Sequence, residues 1–491
     1  MSKPSVAVIG AGLGGIAAVI ELKRAGFDDV VVFEKADDVG GVWRENTYPG
    51  AACDVPSPFY SYSFEPNPRW PRRFSQQPAI LDYIRDVADK YDVRRHIRFG
   101  IEVTAAAYDD TTGRWRLTLD DGETVVVDVL VSAVGQLSRP SIPPIPGRET
   151  FAGAAFHSAE WDHATDLRGR RVAVIGTGAS AIQFVPEVQK QAAHVDVFQR
   201  SAPYLLPRPD REYTEAHHRV FEKVPPTQLI ERITAYGLVE ALSVAWVYAP
   251  ALARVVRGMS RIHMKRQTKN RLGLFEKVWP DYPVGCKRIL FSSDYLPALS
   301  EPNVDLVTVS VTAIRPGGVV TADGVEHAAD VLIWGTGFKA TEFLAPMTVL
   351  GSGGRNLHEE WAEGARAYYG MTVPNFPNLL IMYGPNTNTG GGSIIYFLEA
   401  QARYLRAFVE HLAATGAPLA VRPEIEDDYD RWLQEKLRNS VWSRCSSWYR
   451  TASGRVTTNW PLLGRQYNTH AAFDPSDYLT MPASARHAPS G

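Results

Sequence analysis

The sequence is poor in cysteine and in the short motifs that mark hydrolytic or metal-dependent enzymes. Its three cysteines, Cys53, Cys286 and Cys445, lie far apart and form no Cys-x-x-Cys pair. Neither a disulfide framework nor a dithiol redox centre is therefore expected, and a disulfide reductase is disfavoured. Zinc-ligand spacings, the HExxH motif, the P-loop and the Gly-x-Ser-x-Gly elbow are also absent from the sequence. These absences predict no metal site and disfavour zinc proteases, P-loop nucleotide hydrolases and α/β-hydrolases.

An excess of charge of one sign is lacking as well. The 52 lysines and arginines nearly balance the 54 acidic residues, which leaves a formal net charge of −2. No global field therefore recruits nucleic acid or acidic lipid, and no nucleic-acid partner is expected. No basic and apolar leader precedes the strand that begins at Ser5, which predicts a cytoplasmic protein.

One long apolar stretch, from Tyr236 to Val256, has the length needed to span a bilayer. It contains Glu240, Pro250 and Arg254, which disfavour a spanning helix. We predict a buried or interfacial helix within a helical insertion, and no transmembrane span.

Two β-α-β units stand out along the chain. Segments 5–34 and 171–200 each contain an apolar strand, a turn with glycines, a helix and a second strand. Continuous apolar runs such as SVAVI and RVAVI are typical of parallel strands that are covered on both faces. The predicted fold class is therefore α/β, with two dinucleotide-binding, Rossmann-like domains and a helical insertion. The predicted boundaries are 1–142 and 344–491 for the first dinucleotide domain, 148–209 and 282–343 for the second, and 210–281 for the insertion.

The first glycine turn reads Gly10-Ala-Gly12-Leu13-Gly-Gly15 and lies between a strand and a helix. Gly10 makes the tight turn, Gly12 lets the backbone approach a pyrophosphate, and Gly15 lets helix and strand pack closely. Glu34 ends the following strand, where a carboxylate accepts hydrogen bonds from ribose hydroxyls. This turn predicts a nucleotide with a free ribose.

The second turn is the G-x-G-x-x-A variant Gly176-Thr177-Gly178-Ala179-Ser180-Ala181. Its second strand ends in Arg200-Ser201 instead of an acid. A guanidinium pairs with a 2′-phosphate, whereas a carboxylate would repel it. We therefore predict FAD at the first turn and NADPH at the second, with a solvated surface arginine as the alternative for Arg200.

Two longer patterns carry a family resemblance. Residues 151–162, FAGAAFHSAEWD, fit F-x-G-x-x-x-H-x-x-x-W-[P/D], and residues 41–54, GVWRENTYPGAACD, fit G-x-W-x-x-x-x-[FY]-P-G-x-x-x-D. Both resemble the fingerprints of class B flavin monooxygenases of the Baeyer-Villiger type, and the resemblance extends from Val6 to about Pro461. The pair Trp161-Asp162 favours this type over the nitrogen- and sulfur-oxidising relatives. His157 lies between the two nucleotide domains, where a hinge residue is favoured over a proton-transfer catalyst.

The resemblance also implies roles for three charged residues. It implies that Arg288 lies beside the flavin as the active-site arginine, that Asp54 holds Arg288 in place, and that Lys287 lies beside the 2′-phosphate of NADP. An oriented cation at Arg288 would stabilise the negative charge of a C4a-peroxyflavin and of the adduct that follows it. The alternative is that Lys287-Arg288 is an ordinary surface basic pair.

Three segments near the C-terminus complete the resemblance. Segment 383–388, YGPNTN, resembles the loop beside the flavin ring. Ser447-Trp448-Tyr449 resembles a segment in which the tryptophan closes over NADP, and Asn459-Trp460-Pro461 follows it. Trp448 and Trp460 are equally typical of core aromatics.

Together these patterns predict a complete site. Its catalytic residues are Arg288 and Asp54. The predicted cofactor-binding residues are Gly10, Gly12, Leu13, Gly15, Glu34, Val42, Trp43, Arg44, Asp54, Tyr60, Val103, Thr177, Gly178, Ala179, Ser180, Gln183, Arg200, Ser201, Lys287, Arg288 and Trp448. The predicted reaction uses NADPH and O₂ to insert one oxygen atom next to a ketone carbonyl, with a ketone or a thioether as the substrate. Nitrogen or sulfur oxygenation and a non-catalytic FAD/NADPH redox sensor are the alternatives, although a sensor needs no cation at Arg288.

Overall fold

The computed structural model describes residues 3–247, 250–388, 392–445 and 447–481. Within these residues the strands are β1 Val6–Ile9, β2 Val30–Glu34, β3 Ile97–Phe99, β4 Val103–Asp109, β5 Arg114–Leu119, β6 Thr124–Val127, β7 Val129–Ser132, β8 Ala154–His157, β9 Arg171–Ile175, β10 His194–Phe198, β11 Leu205–Leu206, β12 Leu290–Phe291, β13 Val304–Val307, β14 Val311–Arg315, β15 Gly318–Thr321, β16 Glu326–Ala328, β17 Val331–Trp334, β18 Thr348–Leu350, β19 Leu379–Ile381, β20 Leu419–Val421 and β21 Tyr478–Thr480. The α-helices are α1 Leu13–Arg24, α2 Val42–Glu45, α3 Gln77–Lys90, α4 Ala181–Gln189, α5 Glu215–Lys223, α6 Pro226–Val247, α7 Pro250–Gln267, α8 Leu274–Val278, α9 Tyr295–Leu299, α10 Leu357–Glu360, α11 Ile394–Thr415, α12 Pro423–Arg438 and α13 Gly464–His470.

The first β-α-β unit belongs to a five-stranded parallel sheet in the order β19-β7-β1-β2-β3. Val6 of the central strand β1 pairs with Val30 on one side and Val129 on the other. All four residues of β1 are buried, as expected for a strand with both faces covered. Helix α1 packs against α11, so the C-terminal part of the chain returns to this sheet. A separate four-stranded sheet, in the order β18-β4-β5-β6, contains the β5–β6 hairpin.

The second β-α-β unit builds a second five-stranded parallel sheet, in the order β13-β10-β9-β17-β8. Its central strand β9 pairs with β10 and β17, just as β1 pairs with β2 and β7. The predicted α/β fold class with two Rossmann-like units is confirmed by this architecture. The strands of the two sheets fall within the boundaries given above, and we propose that division into domains.

The helical insertion contains α5, α6, α7 and α8. Among the described residues, no helix is long and apolar enough to cross a membrane. Tyr248 and Ala249, within the stretch 236–256, lie outside the described residues. Burial of this stretch is partial, because Val256 is buried whereas Leu238 and Val255 are more than half exposed.

The expectation that the cysteines form no disulfide is wrong. Cys286 and Cys445 are bonded to each other across 159 residues of sequence, while Cys53 is free and buried. The fold brings the segment just before Lys287 against the segment just before Trp448, and no local cysteine spacing reveals such a contact. The bond therefore links two segments in which the sequence places cofactor-binding residues.

We expect the double substitution Cys286→Ser/Cys445→Ser to lower the free energy of unfolding by about 2–4 kcal/mol, because a cross-link restricts the unfolded chain. Thermal denaturation with and without dithiothreitol measures the effect. Wild type and a Cys53→Ser control should both lose stability when reduced, and the double variant should not respond. A wild type that does not respond to reductant would contradict this prediction.

Candidate active site

The first glycine turn has no room for side chains. Gly10 has a φ of +101°, and a Cβ there would lie 2.7 Å from the carbonyl oxygen of Ala133, at the end of β7. A Cβ on Gly15 would lie 1.9 Å from the carbonyl oxygen of Gly10. The N-terminus of α1 carries no acidic residue and no side-chain cap. The turn therefore leaves backbone N–H groups and a helix N-terminus open to a pyrophosphate, which fits the predicted FAD.

Glu34 is buried and held by two backbone amides of its own unit. Its Oε2 accepts a hydrogen bond from the N–H of Ala11 at 2.7 Å, and its Oε1 accepts one from Ala36 at 2.9 Å. A carboxylate has about four acceptor positions, so acceptor positions for ribose hydroxyls remain. The position at the end of β2 and the fixed orientation both match the predicted role.

The second glycine turn, like the first, has no room for a side chain at its first glycine. Gly176 has a φ of +112°, and a Cβ there would lie 2.2 Å from the carbonyl oxygen of Gly335, just after β17. Thr177 is buried, and its Oγ1 donates to the carbonyl oxygen of Ser201 at 3.1 Å. Gly178 and Ala179 are exposed at the start of α4. These residues fit a second dinucleotide at the carboxyl ends of β9 and β10.

Two cations converge beside this second turn. The Nζ of Lys287 donates to the Oγ of Ser201 at 3.0 Å and lies 4.6 Å from the centre of the Tyr282 ring. Burial lowers the pKa of Lys287, and the nearby positive charge of Arg200 lowers it further. Arg200 is exposed and makes no hydrogen bond or ion pair with another described residue. Neighbouring cations that form no ion pair with a described acidic side chain fit an anion such as the 2′-phosphate of NADP.

Arg288 is held by Asp54, as the resemblance implies. Its Nη2 donates to both carboxylate oxygens, at 2.8 Å and 2.6 Å, and its Nε donates to Oδ2 at 3.2 Å. The attraction of Asp54 raises the pKa of Arg288, so the guanidinium stays charged. Its side chain is still 32% exposed, compared with 21% for Asp54. A cation that is oriented but still accessible can interact with a bound ligand.

The segment that carries Asp54 also contacts helix α4 of the second unit. The Tyr48 hydroxyl donates to Oε1 of Gln183 at 3.0 Å, and Nε2 of Gln183 donates to the carbonyl oxygen of Ala52 at 2.9 Å. Gly50 has a φ of +79°, and a Cβ there would lie 2.6 Å from the carbonyl oxygen of Gln183. The Tyr-Pro-Gly part of the fingerprint is thus an interlocking contact between the two dinucleotide units. Gln183 serves this contact, and its direct binding of a cofactor stays a prediction.

The comparisons with known proteins agree with this geometry. Residues 3–223 match the flavin-binding monooxygenase-like family. A Baeyer-Villiger monooxygenase from Streptomyces coelicolor is 44% identical over 98% of this chain and 93% of its own length. One from Pseudomonas aeruginosa is 41% identical over 98% of this chain and 92% of its own. The crystal structure of OTEMO in complex with FAD and NADP superposes with a TM-score of 0.87 at 26% identity, covering 96% of this chain and 97% of that one.

The chain belongs to the Baeyer-Villiger monooxygenase family. The resemblance drawn from the two fingerprints is therefore confirmed.

Two tyrosines beside Arg288 were missing from the predicted set. Burial raises the pKa of both Tyr383 and Tyr449 to about 12, and the charge of Arg288 opposes the shift at each. Tyr383 lies just beyond the carboxyl end of β19, and its hydroxyl donates to Oδ1 of Asn388 at 3.2 Å. The position after a parallel strand was the available signal for Tyr383, because ligands bind at the carboxyl ends of such strands. Tyr449 is brought in by a distant loop; the resemblance of segment 447–449 pointed to Trp448 and not to this tyrosine.

The two tryptophans of the C-terminal region, Trp448 and Trp460, differ in their exposure to solvent. Trp460 is 1% exposed and donates from Nε1 to the carbonyl oxygen of Leu463 at 3.1 Å, so it is a core residue. Trp448 is 39% exposed, and its ring centre lies 4.3 Å from that of Tyr449. Trp448 is thus at the surface next to a neighbour of Arg288, and its contact with NADP stays a prediction.

The predicted cofactor-binding residues in and around the 41–54 fingerprint are only partly in contact with one another. Trp43 donates from Nε1 to the hydroxyl of Tyr60 at 3.0 Å, and Val42 precedes it in the short helix α2. Arg44 instead pairs with Asp37, with its Nε 3.1 Å from Oδ1. Val103 is buried at the start of β4. The structure gives Arg44 a protein partner and gives Val103 no polar role.

His157 is fully buried at the end of β8, opposite Trp334 of β17. Its Nδ1 accepts a hydrogen bond from the N–H of Ala159 at 3.1 Å, and its ring meets Phe338 edge to face at 5.6 Å. Phe338 in turn forms an isolated bridge with Pro140 in the linker. Burial lowers the pKa of His157, which favours the neutral ring. These contacts favour the predicted hinge role over proton transfer.

We expect Arg200→Ala to raise the KM for NADPH about 10- to 100-fold and to change the KM for NADH little, because a charge-assisted hydrogen bond contributes about 1.5–3 kcal/mol. Steady-state kinetics with both nucleotides measures this. Arg168→Ala, on the same unit but paired with Asp166, is the matched control. Equal changes for NADPH and NADH would remove Arg200 from the 2′-phosphate.

Proposed function

We propose that this chain is an FAD- and NADPH-dependent Baeyer-Villiger monooxygenase. In the proposed reaction a ketone, O₂, NADPH and a proton give an ester or lactone, NADP⁺ and water. The observation that carries the proposal is that two adjacent cations, Lys287 and Arg288, point to different sites. Lys287 reaches Ser201 at the second dinucleotide turn, whereas Arg288 reaches Asp54 and the surroundings of Tyr383 at the first sheet. One dipeptide therefore contacts the sites of both predicted cofactors.

The protein residues supply binding, orientation and electrostatics. Glu34 and the first glycine turn would hold FAD, and Arg200, Ser201 and Lys287 would hold the 2′-phosphate of NADPH. Bound FAD, once reduced by NADPH, supplies the oxygen-activating chemistry. Arg288, fixed by Asp54, offers a permanent positive charge to the oxygen on which negative charge develops.

Tyr383 and Tyr449 act in this proposal as neutral groups. With pKa values raised to about 12 by burial, both phenols keep their protons at physiological pH. They are hydrogen-bond donors and not bases.

Because the chain belongs to the Baeyer-Villiger family, we propose that its substrates are ketones. We propose thioethers as further substrates. The cytoplasmic location predicted from the sequence also stays a proposal, which cell fractionation tests. No observation on the described residues favours the redox-sensor alternative, since the Arg288–Asp54 pair has no role in it.

We expect Arg288→Ala to keep FAD bound but to lower the rate of oxygenated product formation at least about 100-fold, because an oriented charge partner typically contributes about 2.7–4 kcal/mol to a transition state. The measurement is mass spectrometry of a cyclic ketone and a thioether after incubation with NADPH, together with flavin absorbance. Arg208→Ala, also near Cys53, is the matched arginine control. Ester formation at nearly the wild-type rate would refute the role of Arg288.

Lys287 should give NADPH binding an alkaline limit. Because its pKa is lowered by burial and by Arg200, Lys287 loses its proton at lower pH than an exposed lysine, whose pKa is about 10.4. The KM for NADPH should therefore rise in the wild type as the pH is raised toward the ordinary lysine range, and it should stay nearly flat in Lys287→Arg, which keeps its charge. Parallel pH profiles for the two proteins would contradict the assignment.

A further inference from the structure

The outward face of helix α6 carries no charge along three turns. From Leu229 to Ala241, every side chain that the structure describes as exposed is uncharged. The large apolar members of this face are Leu229, Ile230, Ile233 and Leu238, which are 53%, 63%, 57% and 56% exposed. Scattered exposed apolar residues are normal on protein surfaces, but a contiguous face of them marks an interaction surface.

Helix α7 packs against α6 and continues this surface. Leu252, Val255, Met259 and Ile262 are each 43% or more exposed. Their spacing of three, four and three residues places them on one side of the helix. The two helices together thus expose apolar side chains that the rest of the described chain does not cover.

A row of basic residues runs along α7 beside its apolar row. Arg254, Arg257, Arg261 and Lys265 are exposed and follow one another at spacings of three, four and four residues. The helix PALARVVRGMSRIHMKRQ contains no acidic residue. None of these four cations forms an ion pair with an acidic side chain in the described parts of the chain. Arg257 and Lys265 lie over the rings of Trp279 and Phe275, which does not neutralise their charge.

The apolar row and the basic row together limit the kinds of partner that can bind this face. A nucleic acid would satisfy the cations but would leave the apolar row in water. A second copy of this chain, packed apolar row against apolar row, would cover the apolar side chains but would give the four cations no anionic partner. A membrane surface with anionic lipids satisfies both rows, since apolar side chains enter the headgroup boundary while cations remain at the phosphates.

We infer that the α6–α7 face binds the surface of membranes that contain anionic phospholipids. The inference does not depend on the proposed reaction. It agrees with the absence, among the described residues, of any helix able to span a bilayer. The net charge of −2 of the whole chain does not oppose it, because the cations of α7 form a local row that a global sum does not report.

Vesicle sedimentation of the purified, full-length FAD-loaded protein tests the inference. Wild type should sediment with vesicles of phosphatidylglycerol and phosphatidylcholine, and binding to pure phosphatidylcholine should be at least about tenfold weaker. The association should also weaken as salt is raised, since cations near a membrane are screened.

Two double variants separate the contributions of the rows. Arg254→Glu/Arg261→Glu should weaken binding to the anionic vesicles at least about tenfold, because each cation near the surface contributes about fivefold. Val255→Ser/Ile262→Ser should weaken binding to the same vesicles while leaving the basic row intact. Arg116→Glu/Arg170→Glu changes the net charge equally with two exposed arginines outside α6 and α7, and should bind as wild type does.

Folding and self-association are followed in the same samples. All variants should keep wild-type melting temperatures and NADPH consumption without vesicles, so lost binding then reports the surface. Equal sedimentation with and without phosphatidylglycerol would overturn the inference. The inference would also be overturned if light scattering detected a dimer that Val255→Ser/Ile262→Ser abolishes, and if the wild type did not bind vesicles.

Discussion

The ion pair between Arg288 and Asp54 is the interaction on which the rest of the site depends. It joins two residues that are 234 positions apart, and all three of its hydrogen bonds are within 3.2 Å. Its geometry holds only if the segments carrying the two residues are themselves fixed. Gln183 binds the Asp54 segment to helix α4, and the Cys286–Cys445 bond attaches the Arg288 segment to the loop that carries Tyr449. The Arg288 guanidinium is thus oriented by contacts between the two dinucleotide units.

The two glycine turns show how similar backbones acquire different specificities. Gly10 and Gly176 both have positive φ, and both face a carbonyl oxygen at the end of a neighbouring parallel strand. The difference lies in the charged residue at the carboxyl end of the second strand of each unit. Glu34 receives two backbone amides and presents a fixed acceptor, whereas Arg200 has no acidic partner and adds to the positive charge near Lys287. In the proposed assignment, the shape of each turn accommodates a dinucleotide, and the charge at this one position distinguishes a free ribose from a phosphorylated one.

Local sequence signals predicted what depends on short-range contacts. The strands around Val6 and Val172, the glycine turns and the β5–β6 hairpin follow from apolar runs and from turn residues, which the chain within each unit determines. The contacts of Tyr449 and the Cys286–Cys445 bond depend on how distant segments meet in three dimensions. The family resemblance predicted the contact between Arg288 and Asp54, because Asp54 lies in a contiguous fingerprint and Arg288 lies in a Lys-Arg pair typical of the family.

The positive charges of this chain illustrate why a net charge says little about function. Lys287 and Arg200 come from different segments, and burial of Lys287 lowers its pKa, so this pair is arranged for one small anion at close range. The cations of α7 come from a single helix, stay exposed, and are arranged in a row beside apolar side chains. A pair of cations that meets one small anion gains binding energy from directed, charge-assisted hydrogen bonds, whereas an exposed row gains it from many screened contacts to an extended surface. Both arrangements occur in a chain with a net charge of −2. Acidic residues elsewhere balance these cations in the net charge, but they do not form ion pairs with them in the described parts of the chain.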